Sequence, residues 1–138
     1  MRVIVDTCVW SLWLRRQSQI RLNEQEQKTV ALLREAVLDR RATILGPIRQ
    51  EVLSGIRNHA QFAQVEELLE PFLDEEITPK DYVEAARLFN LCRDHGVECG
   101  PVDRLICAVA VRNGFTILTS DCGLMCCMQA LRSEGLAL

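Results

Sequence analysis

Short β-branched runs alternate along the chain with longer stretches of helical spacing. Arg2 to Val5 is a compact apolar run that stops at Asp6 and predicts a first buried strand. From Thr7 to about Arg15, the residues Val9, Trp10, Trp13 and Leu14 recur at helical intervals, with Thr7 placed to cap the helix. A second helix is predicted from about Asn23 to Arg40, its stripe set by Val30, Leu33 and Val37 and widened by Leu32 and Ala36. Ala42 to Leu45 reads as a second strand, and Gly46-Pro47 opens a helix, because proline suits the first helical position. His59 to Phe72 is amphipathic, with Phe62, Val65, Leu68, Leu69 and Phe72 on its inner side. A turn or short strand near Ile77 leads to a helix from Lys80 to His95, stopped by Gly96. Gly100-Pro101 then starts the most apolar helix, Val102 to Asn113, which Gly114 closes. Thr116 to Thr119 reads as a strand, Cys122 to Arg132 as a helix, and Leu136 to Leu138 as a last strand.

Strands that alternate with helices imply an α/β fold, a three-layer α/β/α sandwich with a mainly parallel central sheet. No repeat or linker interrupts the pattern, and 138 residues that are 49% hydrophobic suit a single domain over residues 1–138. A charged fraction of 25% with only 7 Gly and 4 Pro excludes a disordered or low-complexity chain. The longest apolar run, Leu105 to Val111, falls far short of a membrane span. Asp6 breaks the first apolar stretch too early for a secretory signal. The chain therefore reads as soluble and cytoplasmic.

A net charge of −3 argues against indiscriminate nucleic-acid binding. The acids are unevenly spread: Glu66, Glu67, Glu70, Asp74, Glu75 and Glu76 lie close together with no base among them. The remainder is mildly positive, and its bases are almost all arginine, the side chain suited to bidentate contact with phosphate. The 7 cysteines include no Cys-x-x-Cys pair, and the tight group Cys122, Cys126 and Cys127 lacks a nearby fourth ligand. Reduced, packed thiols fit this pattern.

In parallel sheets ligands bind beyond the carboxyl ends of the strands. Asp6 directly follows the first strand and Asp121 lies just beyond the strand that ends at Thr119. Glu51 sits one turn into the helix after the second strand, and Asp103 in the first turn of the most apolar helix. Each acid taken alone has an ordinary role as a cap, a turn residue or a partner of the helix dipole. Four anions on one edge repel one another unless a cation screens them, and an oxygen-only donor set suits Mg²⁺ or Mn²⁺ rather than zinc.

Four segments carry a family resemblance: Ile4-Val5-Asp6-Thr7, Gly46 to Gly55, Asp103 to Ala110, and Leu118-Thr119-Ser120-Asp121. In order and spacing they resemble the motifs of PIN-domain ribonucleases, most of all the VapC-type toxins of bacterial toxin–antitoxin systems. The resemblance implies that Asp6, Glu51, Asp103 and Asp121 are a catalytic, metal-binding quartet, with Thr7 and Thr119 or Ser120 supporting it through hydroxyl hydrogen bonds. Two positions depart from the family pattern. Cys8 stands where Asn or Ser is common, and Cys122-Gly123-Leu124 replaces a second Asp and a Phe.

The implied activity is hydrolysis of RNA phosphodiesters with Mg²⁺ or Mn²⁺ as cofactor. Asp6 and Asp103 are the expected direct or water-mediated ligands, Glu51 the group that orients or deprotonates the attacking water, and Asp121 an outer or second-position ligand. Arg104, Arg15, Arg49, Arg16 and Arg57 are candidates for a phosphate track, each with an equally ordinary role in a surface ion pair. Trp10 and Trp13 are expected in the core or a dimer face rather than stacked on bases. The resemblance further implies a cognate antitoxin and a homodimer. Alternatives are a PIN-fold RNA-processing nuclease without an antitoxin and a catalytically silent binding module. A phosphatase of the haloacid type would need a second Asp at the position held by Cys8.

Overall fold

The β-branched run at Val3–Val5 forms β1, buried along its whole length as a strand covered on both faces must be. The computed structural model describes residues 1–17 and 20–138. Among them, β1 pairs in parallel on one side with β2 (Ala42–Thr43) and on the other with β3 (Thr116–Leu118). Val3 lies opposite both Ala42 and Thr116, and Val5 opposite Leu118. Parallel pairing requires crossovers, and helices supply them: α1 (Thr7–Gln17) and α2 (Glu24–Leu38) connect β1 to β2. From β2 the chain passes through α3 (Gly46–Ser54), α4 (His59–Leu69), α5 (Pro79–Asp94) and α6 (Pro101–Asn113) before β3, and α7 (Cys122–Ser133) follows. The helices cover the sheet in the expected α/β/α layers.

Local chemistry sets the helix ends. Asn23 accepts from the Glu26 N–H at 2.8 Å while Glu26 accepts from the Asn23 N–H at 3.1 Å, a reciprocal cap that starts α2. Thr78 and Asp81 do the same for α5. Gly114 closes α6 in the left-handed region at φ 68°, a conformation that favours glycine. Trp10 is fully buried, its indole N–H donates to the Val5 carbonyl at 3.0 Å, and it meets Trp13 and Phe72 edge-to-face. Both tryptophans thus belong to the scaffold.

Several expected elements differ. The second strand stops at Thr43, beyond which Ile44 pairs with Asp74; of the turn or short strand expected near Ile77, the chain forms only that bridge three residues earlier. Leu136 to Leu138 forms no strand. Gly135 turns the chain at φ 88°, so the Leu136 N–H donates to Leu131 and the tail folds back onto α7. Phe62 and Leu32, expected inside, are 37% and 54% exposed, at the edges of stripes that Val65, Leu69, Val30 and Leu33 already fill.

One buried ion pair joins α5 to α6. Asp81 is 1% exposed and accepts from the Arg112 Nε at 2.7 Å and Nη2 at 2.9 Å, with Thr78 donating to the same carboxylate. Burial alone would raise its pKa, but hydrogen bonds from Arg112 and Thr78 hold it below the ordinary carboxylate value. Asp81→Asn should cost about 2–4 kcal/mol, since it strands a partly buried guanidinium and weakens a helix cap. Urea unfolding at neutral pH would measure it. The pair stabilises the fold above the unfolded carboxylate pKa, so the gap to wild type should shrink as pH falls below about 4.

Candidate active site

The chain leaving β1 builds the first part of the site. Asp6 follows the strand at 6% exposure, and its carbonyl accepts the first N–H groups of α1. Its carboxylate accepts from the Thr7 N–H at 2.8 Å on Oδ1, and from the Thr119 hydroxyl at 2.7 Å on Oδ2. Thr119 lies just past β3, and its Oγ1 in turn accepts the Asp121 N–H at 3.0 Å. One hydroxyl thereby fixes the ends of two neighbouring strands to each other.

Glu51 comes from α3, the helix after β2, and its Oε1 accepts from the Thr7 hydroxyl at 3.0 Å. Asp103 stands in the first turn of α6. A helix leading into a parallel strand runs back against it, which brings its N-terminus to the edge where the strand ends. Asp121 caps α7 by accepting the Leu124 N–H at 2.9 Å. A Cβ on Gly123 would sit 3.1 Å from the Asp121 Oδ2, so the glycine leaves room for that carboxylate.

These four acids feel one another. Burial first, and then the charges of Asp6, Asp121 and Glu51, push the Asp103 carboxyl up to about 6. Among the described residues none of the four takes part in an ion pair. Nor do any three of them bring their oxygens within 4.8 Å of one another, a spacing in keeping with unscreened mutual repulsion. A set of carboxylate oxygens with uncompensated negative charge matches a hard divalent cation such as Mg²⁺ or Mn²⁺.

The PIN domain family model matches residues 3–124, a span that includes all four acids. The chain belongs to the PIN-domain family. Its fold is similar to the crystal structure of FitAcB from Neisseria gonorrhoeae, with a TM-score of 0.69 at 23% identity, covering 91% of this chain and 93% of that one. It is also similar to VapBC2 from Rickettsia felis, bound to a DNA fragment from their promoter, with a TM-score of 0.63 at 16% identity over 88% of each chain. No curated protein gives a significant sequence match. PIN domains are generally nucleases.

Around the PIN-domain site, the supporting hydroxyls divide their work. Thr7 holds Glu51 and Thr119 holds Asp6, whereas the Ser120 N–H and hydroxyl approach the Cys8 sulfur at 3.5 and 3.4 Å. Cys8 also lies 3.5 Å from the Asp6 Oδ2, so it packs against the carboxylate from inside α1. Sequence reading marked Cys8 only as a departure; its place two residues after Asp6, in the first turn of α1, was the available signal. The arginines have varied fates. Arg49 donates to Asp74 and to the Leu69 and Phe72 carbonyls, holding the segment after α4. Arg15 pairs with Glu26, and Arg104 bonds the Gly100 carbonyl while stacking 4.3 Å from the Phe89 ring centre. Arg16 and Arg57 are exposed and, among the described residues, enter no ion pair.

Without metal, an ionised Asp103 destabilises the fold, because its folded pKa lies above the unfolded value. The penalty is complete above about 6 and is relieved as the carboxyl takes up its proton toward pH 4. Asp103→Asn should therefore stabilise the metal-free protein at pH 7.5 by about 1–2 kcal/mol, a figure reduced for the half-exposed position. Urea unfolding in chelator at pH 7.5 and pH 4.5 checks it: the gain should fall to about a third at the lower pH.

Proposed function

We propose that this PIN domain is a Mg²⁺- or Mn²⁺-dependent endoribonuclease acting as the toxin of a toxin–antitoxin pair. The observation that carries the reading is the convergence of Asp6, Glu51, Asp103 and Asp121 from four separate elements on one sheet edge, with no basic partner for any of them among the described residues. A purely structural role does not account for an Asp103 whose pKa burial and three acidic neighbours raise, a cost that pairing with a base would recover.

Asp6 and Asp103 would hold the ion, with Asp121 completing its surroundings. When bound, the divalent ion lowers the pKa of an attacking water and stabilises charge building on the scissile phosphate. The protein's own groups do the positioning. Thr119 fixes the Asp6 carboxylate and Thr7 fixes Glu51, so neither acid swings away under repulsion. Glu51 lies on the exposed rim, where it can orient the water and take its proton as the phosphorus–oxygen bond to the leaving ribose breaks. The exposed Arg16 and Arg57 are available to the RNA backbone, whose phosphates would otherwise be repelled by the acidic edge.

The toxin assignment draws on the resemblance to VapC-type proteins and on the fold shared with the FitAcB and VapBC2 structures. Apolar surface for a partner protein exists beside Trp13, where Leu38 is 73% and Leu73 64% exposed.

Titration of Mg²⁺ and Mn²⁺ during thermal unfolding, followed by a cleavage assay on total RNA, tests the proposal. Wild type should gain stability with rising metal concentration and cut RNA. Asp6→Asn should fold but lose both the metal response and at least about 100-fold in cleavage, the scale expected when a metal ligand goes. A wild-type chain indifferent to metal and inert toward RNA would instead identify a silent binding module. Intact RNA cleavage with no toxicity and no antitoxin would leave a processing nuclease.

A further inference from the structure

Behind the acidic edge lies a second group of metal-ligating side chains that the proposed nuclease chemistry does not use. Cys92 near the end of α5, Cys99 in the connection to α6, and Cys127 within α7 bring their sulfurs within 4.8 Å of one another. All three are fully buried, as is Cys107 on α6. Two stretches far apart in sequence, Cys92 to Cys99 and the helix carrying Cys127, therefore point thiols at a common centre. Their polar contacts are weak: Cys127 donates to the Glu98 carbonyl at 3.7 Å and Cys92 to the Cys127 carbonyl at 4.0 Å.

We propose that Cys92, Cys99 and Cys127 form a structural site for a thiophilic d¹⁰ cation of the zinc class, with the buried Cys107 on α6, which lies outside that 4.8 Å trio, moving in as the fourth ligand. In tetrahedral zinc–thiolate sites the metal–sulfur distance is about 2.3 Å, which places sulfurs roughly 3.8 Å apart. The trio needs to close by an ångström or less to meet that spacing. Binding forms metal–sulfur bonds and releases one proton to solvent from each ligating thiol. A redox role fits worse, because fully buried thiols offer no face to an oxidant.

The site's place explains its use. Cys99 immediately precedes Gly100-Pro101, the start of the helix whose first turn carries Asp103, and Cys127 lies on the helix that Asp121 caps. An ion at the sulfurs would pin α5, α6 and α7 together directly behind two of the four acids, stiffening the site without touching substrate.

The test uses the full chain, purified under reducing conditions, with metal content measured by mass spectrometry in wild type, Asp6→Asn and Cys99→Ser. One zinc per chain should remain in wild type and in Asp6→Asn, and be lost from Cys99→Ser. Because a core substitution can impair folding, the wild-type chain is also loaded with Co²⁺, which should give thiolate-to-cobalt charge-transfer absorption that carboxylates do not produce. Wild-type protein that is folded yet neither retains nor takes up zinc, and shows no such band, overturns the proposal. So does zinc kept by a folded Cys99→Ser, or lost from Asp6→Asn, since the ion would then belong elsewhere. The nuclease reading can fail while the sulfur site stands, and the reverse.

Discussion

With β1 flanked on both sides by parallel partners, the chain leaves β1 and β3 at the same edge of the sheet, and the helices that precede or follow these strands begin there too. Everything chemical in this protein depends on that shared direction. Asp6, Thr119 and Asp121 sit just past strand ends, and Glu51 and Asp103 in early turns of helices. The geometry is held against charge repulsion by the core beneath it. Ile4, Val5, Ile44, Leu45, Ile48 and Ile106 are all fully buried, and each such side chain stabilises the fold by roughly 1.5–3 kcal/mol. Against that support, the repulsion among four partly solvated carboxylates is a tolerable cost.

The four acids were legible in the sequence because each stands beside a punctuation mark of the fold: the end of an apolar run, or a Gly-Pro helix start. Their hydrogen-bonded supports were half legible, since hydroxyls next to the acids could be named but not their partners. Thr7 reaches Glu51 rather than its neighbour Asp6, and Ser120 reaches Cys8. The sulfur trio was not legible at all. Sequence groups Cys122, Cys126 and Cys127, yet helical geometry leaves the first two exposed and sends only Cys127 inward, to meet cysteines from α5 and its exit loop. The tail misled for a local reason, because a glycine with positive φ reverses Leu136 to Leu138 onto α7.

Arginine usage also changes meaning once partners are visible. A chain with so many guanidinium groups suggests a phosphate-binding surface, but Arg49 and Arg112 serve the scaffold by gathering carbonyls and a carboxylate from neighbouring segments. Both hold segments that flank the long path from β2 to β3, where the chain makes four helices without adding a strand. Several arginines are thus committed to structural bonds, whereas among the described residues Asp6, Glu51, Asp103 and Asp121 enter no ion pair.

The bond between Thr119 and Asp6 spans 113 positions of sequence. During synthesis β1 leaves the ribosome first, but its partner β3 and the hydroxyl that fixes Asp6 are made only after Asn113 has closed α6. Contacts this distant form late, after the loop between them has been ordered. A growing chain therefore carries its first acid for most of its translation without the rest of the quartet in place. Assembly of the acidic edge waits for β3, however early Asp6 itself is made.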